Sequence, residues 1–109
     1  MAENESILWD KTTESGTCLL ASFRIAAEDG VLDHRKLATV RLPVQAAARE
    51  QKGIIFSGRG PIWLFVHLAH LAHPFAWVAV HDPRLGGAVV VMRHTADAPA
   101  LGSIVPLPE

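Results

Sequence analysis

The sequence predicts a small single-domain α/β fold, a βαβ core finished by a C-terminal antiparallel strand. Two continuous apolar runs, residues 54–56 and 76–80, flank a stretch that opens at Pro61 and stops at Pro74, the pattern of strand, helix, strand. A Val-rich run, residues 88–92, follows a turn built from Asp82, Pro83, Gly86 and Gly87 and reads as a strand antiparallel to the one before it. The length agrees: 109 residues, 50% hydrophobic and 19% charged, make one core over residues 1–109.

Taken in chain order, Ile7, Leu8 and Trp9 mark a short first strand in polar surroundings, and residues 18–26, rich in Leu, Phe and Ile, form its hairpin partner. Glu28, Asp29 and Gly30 end that strand. Asp33 caps a short helix through about residue 39, Pro43 stops it, and residues 44–51 read as a turn or a single helical turn. Ser57, Gly58, Arg59 and Gly60 turn the chain after the first apolar run, and Pro61 takes the first position of a helix reaching to about residue 72. A right-handed crossover makes the flanking strands parallel neighbours. A last short strand near Ile104 and Val105 closes the sheet edge.

The formal net charge of −1 creates no global field to steer a nucleic acid. Its distribution is uneven, since residues 51–95 hold Lys52, Arg59, Arg84 and Arg93 against Asp82 alone. His67, His70, His73, His81 and His94 share the same half, which concentrates neutral-pH proton chemistry there. Cys18 has no partner for a disulfide or a metal motif and reads as a small apolar core residue, in keeping with a reducing cytoplasm. Residues 1–5 carry neither a basic flank nor an apolar stretch, so a cytoplasmic protein is expected. The uncharged run 61–80 suggests a membrane span by length alone. Its three histidines and two prolines make a buried helix and strand the better reading, and no membrane partner is expected.

Three groups of residues could carry chemistry. The 57–60 turn lies between the carboxyl end of a strand and a helix N-terminus, where free N–H groups favour an anion such as phosphate; Arg59 strengthens that reading over a merely tight turn. Asp82 and Arg84 emerge at the same sheet edge, either as ligand contacts or as an ion-paired Asp-Pro turn. His67, His70 and His73 follow at three-residue spacing on a helix face without Lys or Glu, a face suited to another subunit or a site. His94, at the end of a returning strand, should lie near His73. Such imidazoles, with a carboxylate, could bind a manganese-like ion or serve as acid and base.

Residues 57–64 (Ser, Gly, Arg, Gly, Pro, Ile, Trp, Leu), then Leu68, Ala69, His70 and His73, then Asp82, Pro83, Arg84, Leu85 and the strand ending at His94, together form a longer pattern. Over residues 53–94 the chain resembles the small CRISPR-associated ring nucleases of the Csx group that accompany type III systems. The resemblance implies a dimeric Rossmann-like fold of the kind CRISPR sensor domains use. It also implies binding of a four-nucleotide adenylate and manganese-assisted cleavage of cyclic tetra-adenylate, which switches off antiviral signalling. Members have also been viewed as manganese-dependent RNA deadenylases, so short adenylate RNA is a second expected partner, and a non-catalytic adenylate sensor is a third possibility. Carried over by position, His73, Asp82 and Arg84 are expected to be catalytic. Ser57, Gly58, Arg59 and Gly60 are expected to bind ligand, and His70, Asp82 and His94 to hold Mn2+.

Topology adds one expectation. Ser57, Arg59, Asp82 and Arg84 leave the carboxyl ends of parallel strands, while His73 and His94 belong to the opposite edge, a strand length away. If both sets act on one ligand, homodimers must stack head to tail with the ligand between them.

Overall fold

In a computed structural model, residues 6–43 and 52–108 are described; the turn expected over 44–51 lies outside them. The chain forms β1 (Ile7–Glu14), β2 (Cys18–Ile25), a 3-10 turn (His34–Thr39), β3 (Gly53–Ser57) and α1 (Ile62–Leu71). It continues through β4 (Trp77–Asp82), a second 3-10 turn (Pro83–Leu85), β5 (Gly87–Arg93) and β6 (Ile104–Val105). The six strands form one mixed sheet in the order β1-β2-β3-β4-β5-β6. β2, β3 and β4 run parallel; β1, β5 and β6 pair antiparallel with their neighbours. The structure is thus a small α/β domain with one main helix, and the βαβ core and the antiparallel β5 stand where the apolar runs placed them.

The strand order never reverses, so the sheet lacks the switch point of a doubly wound Rossmann arrangement. The reason is steric. Right-handed crossovers from β2 to β3 and from β3 to β4 advance in one direction and therefore cover the same face. That face packs Leu64, Leu68 and Ala72 of the helical segment, with Leu32 and Val40 of the first crossover, on Leu19, Phe23, Ile54, Phe56 and Val78. The opposite face, carrying Cys18, Leu20, Ile55, Trp77 and Val90, is covered by Ala98, Val105 and Leu107. Cys18 is buried there, as a small apolar residue would be.

Three boundaries differ from the sequence reading, and one short helix keeps its expected bounds but differs in type. β1 runs on to Glu14 because the ladder with β2 holds polar residues that no apolar pattern could reveal, with Asp10 as an extra residue between Trp9 and Lys11. The helix begun at Asp33 is 3-10; the Asp33 carboxylate accepts from the Arg35 N–H at 2.9 Å. Arg35 also grips that carboxylate, holding its pKa down to about 2. Pro61 is the N-cap of α1 rather than its first helical residue. The helix closes at Leu71, so His73 lies past its end, in a turn where its N–H donates to the His70 carbonyl at 3.2 Å.

One glycine shows how tightly the parallel strands are fitted. A Cβ on Gly53 would run into the Trp77 indole, its register partner on β4. Gly53→Ala is expected to lower stability by about 1–3 kcal/mol, the cost of overpacking a filled core, read from urea denaturation at unchanged m-value.

Candidate functional site

The polar groups singled out from the sequence gather at two opposite edges of the sheet. At the carboxyl edge, Ser57 ends β3 and passes into exposed Gly58, Arg59 and Gly60, while Asp82 ends β4 and passes into exposed Arg84. Strand pairing brings the two exits side by side, since Phe56 is the register partner of Val80.

The 57–60 turn is shaped by packing. A Cβ on Gly58 would lie 2.6 Å from the Phe23 carbonyl oxygen, and one on Gly60 would lie 2.9 Å from Leu64 Cδ2. Close approach to β2 and α1 therefore explains both glycines, whatever else the turn does. It does not explain Arg59, which is exposed and has no ion-pair or hydrogen-bond partner among the described residues. Immediately beyond it α1 begins with no side-chain cap and no acidic residue in its first turn. An unpaired guanidinium beside N–H groups at the positive end of a ten-residue helix is suited to an oxyanion.

Asp82 organises the second exit. Its carboxylate accepts from the Arg84 backbone N–H at 3.0 Å, capping the 3-10 turn, and holds the Arg84 guanidinium through Nε at 3.3 Å and Nη2 at 3.2 Å. Gly86, at φ 72°, supplies the left-handed residue that reverses the chain into β5. The hydrogen bond from the Arg84 side chain, followed by that from its backbone, lowers the Asp82 pKa below its ordinary value. Asp82 is thus a poor proton acceptor at neutral pH and a good aiming group for Arg84, whose side chain is 89% exposed.

One residue of this edge was missed from sequence. His81 Nδ1 lies 2.9 Å from Ser57 Oγ, both groups half-buried on the face away from α1. A signal existed: Ser57 and His81 are each the first polar residue after an apolar run, and two parallel strands that end together align such residues.

At the opposite edge the rings of His73 and His94 meet edge to face with centroids 4.8 Å apart, as the strand directions required. A β-bulge makes the meeting possible. Ala79 pairs with Val90 but Val78 pairs with Met92, so Val91 is an extra residue, and the slip moves Met92 and the residues beyond it to the other phase. Met92 consequently packs on the α1 face, where the end of the helix has left His73. His94 is anchored by its own N–H to the Ala76 carbonyl and by Nδ1 to the Phe75 carbonyl, each at 2.8 Å. Because a carbonyl only accepts, Nδ1 carries the proton and Nε2 the lone pair.

The expected metal set is not brought together in one chain. Asp82 stands at the far end of β4, roughly 20 Å along a six-residue strand from the His94 end. Among the described residues no group of three or more His, Cys, Asp or Glu could hold a metal ion. His70, Asp82 and His94 therefore do not come together around one manganese ion within one chain. An open cleft of about 870 Å³ also lies away from the carboxyl edge, between Cys18, Trp77 and the C-terminal prolines Pro106 and Pro108. On α1, Ile62 is 84%, Val66 66% and Trp63 38% exposed, so the helix face lacking Lys and Glu is an apolar surface without a partner among the described residues.

Fold and edges together define a small single-sheet α/β protein whose candidate site residues gather at the two ends of its strands. The family model for CRISPR-associated protein (Cas_csx3) matches residues 25–106, well over half the chain, and the chain belongs to that family. It is also similar to an uncharacterized protein of Aquifex aeolicus (strain VF5), 60% identical over 42 residues. That match covers 38% of this chain and 38% of the relative, so it spans well under half of either. Among the described residues, no helix is long and apolar enough to cross a membrane.

Proposed function

We propose that this protein is a ring nuclease, binding cyclic tetra-adenylate at the carboxyl edge of its sheet and cleaving it to end type III CRISPR signalling in the cytoplasm. The observation that carries the reading is Arg59, exposed and without a partner among the described residues at an uncapped helix N-terminus, in a chain of a CRISPR-associated family. Ring phosphates seat on the 57–60 turn, held by Arg59 and the first N–H groups of α1. Arg84, held out by Asp82, meets the charge that grows on the phosphorus-bound oxygens as the bond is cut.

A two-fold homodimer presents two such edges to a ring of matching symmetry, which implies two cuts. The apolar Ile62, Trp63 and Val66 face of α1 is the surface assigned to that dimer contact. His73 then reaches the ligand only from a second dimer, so dimers stack head to tail and the histidine edge closes over the seated ring. Closure removes water from the phosphates and strengthens the Arg59 and Arg84 contacts.

The test is incubation of purified protein with cyclic tri-, tetra- and hexa-adenylate and with A-ended linear RNA, with and without manganese, followed by product separation. Multiple turnovers on the four-membered ring are expected. Preferential trimming of linear RNA would make the protein a deadenylase, and product limited to one equivalent per dimer would make it a sensor.

A further inference from the structure

At the carboxyl edge Ser57 Oγ and His81 Nδ1 lie 2.9 Å apart, and no described group takes the second ring nitrogen of His81. The neighbouring groups leave a gap that it fills. Asp82 is engaged by Arg84, and Arg59 is only a donor. Within one chain His73 and His94 are a strand length away, and His67 and His70 lie along α1. Ser57 stands two residues before Arg59, and His81 is one strand spacing to the side, about 4.8 Å, comparable with the step from a phosphate to its neighbouring ribose.

Building on the ring-nuclease reading, we propose that His81, fixed by Ser57, is the catalytic residue that accepts the proton of the attacking ribose 2′-hydroxyl. In the tautomer this role requires, Nδ1–H donates to Ser57 Oγ and the Nε2 lone pair is directed by a ring held at 2.9 Å. The 2′-oxygen forms a bond to the adjacent phosphorus and its proton passes to Nε2. The bond from phosphorus to the 5′-oxygen breaks, and that oxygen takes a proton from the imidazolium. The products are a 2′,3′-cyclic phosphate and a 5′-hydroxyl; no water or other reactant is consumed, and His81 ends as it began. On this proposal the 2′-hydroxyl, rather than water, is the attacking group.

Single-turnover cleavage and equilibrium binding of cyclic tetra-adenylate by His81→Ala, with and without added imidazole, test this. Binding within about threefold of wild type, cleavage slowed a hundredfold or more, and at least tenfold recovery with imidazole are expected. Ser57→Ala, which leaves the imidazole present but unaimed, should lose about tenfold in rate. A ring with 2′-O-methyl groups should bind and remain uncut. If wild type cleaves the ring and His81→Ala matches its rate, or the 2′-O-methyl ring is cut, the role of His81 is overturned while the ring-nuclease reading stands. If wild type binds no ring, both fall together.

Discussion

Asp82→Ala is expected to reduce single-turnover cleavage of cyclic tetra-adenylate by two or more orders of magnitude while changing its affinity by no more than about threefold. The carboxylate makes three hydrogen bonds to one residue, two of them to the Arg84 guanidinium. Without them Arg84 is a long, exposed side chain with many rotamers, and the charge that must meet the developing oxyanion is no longer aimed. On the proposed reading ground-state binding depends on Arg59 and the helix terminus, so it should survive. Equal losses in affinity and rate would instead reduce Asp82 to a turn residue. The pH dependence has a definite sign. The Asp82 pKa is lowered by Arg84, so the pair is intact above the ordinary carboxylate range and is lost as pH falls through the lowered value. Activity should therefore show no limb from Asp82 between about pH 5 and 8. A carboxyl chemical-shift titration checks this, and Arg84→Ala should return the Asp82 pKa upward.

The second large effect is on binding. Arg59→Ala should weaken cyclic tetra-adenylate by about 2 kcal/mol or more, roughly thirtyfold, because a charge-assisted phosphate contact is lost and no intramolecular partner is freed. Lys52 is the control. Its ammonium is paired with Glu14 and the Ser15 carbonyl at the amino end of β3, so Lys52→Ala should leave affinity unchanged. Fluorescence titration of both variants gives the comparison. Unchanged affinity in Arg59→Ala would remove the phosphate from the 57–60 turn.

The elements legible in the sequence were those whose signal is local. Residues 54–56 and 76–80 are apolar on both faces because α1 covers one and the C-terminal segment the other, and prolines bracket the helix between them. β1 beyond Trp9 was illegible because its outer residues face solvent and are held by hydrogen bonds to β2, which carry no side-chain pattern. The division of the site between two edges followed from strand direction alone, and His73 does meet His94. What strand direction could not supply was register. The pairing of Phe56 with Val80 sets Ser57 beside His81, and the extra Val91 carries the end of β5 to the α1 face. Both are properties of two strands at once, and neither is written in either strand alone.

A site divided between two edges of separate dimers is tested most directly by mixing. Preformed His73→Ala dimers and preformed Asp82→Ala dimers, each nearly inactive, are combined with cyclic tetra-adenylate under conditions where subunits do not exchange. Head-to-tail stacking, if dimers assemble as proposed, would bring some intact Asp82 edges against intact His73 edges. Activity should return to at most about a quarter of wild type if stacking is random, and the wild-type rate per subunit should rise with protein concentration. No recovery, together with a rate per subunit independent of concentration, would contradict the divided site and leave the carboxyl edge of a single dimer to act alone.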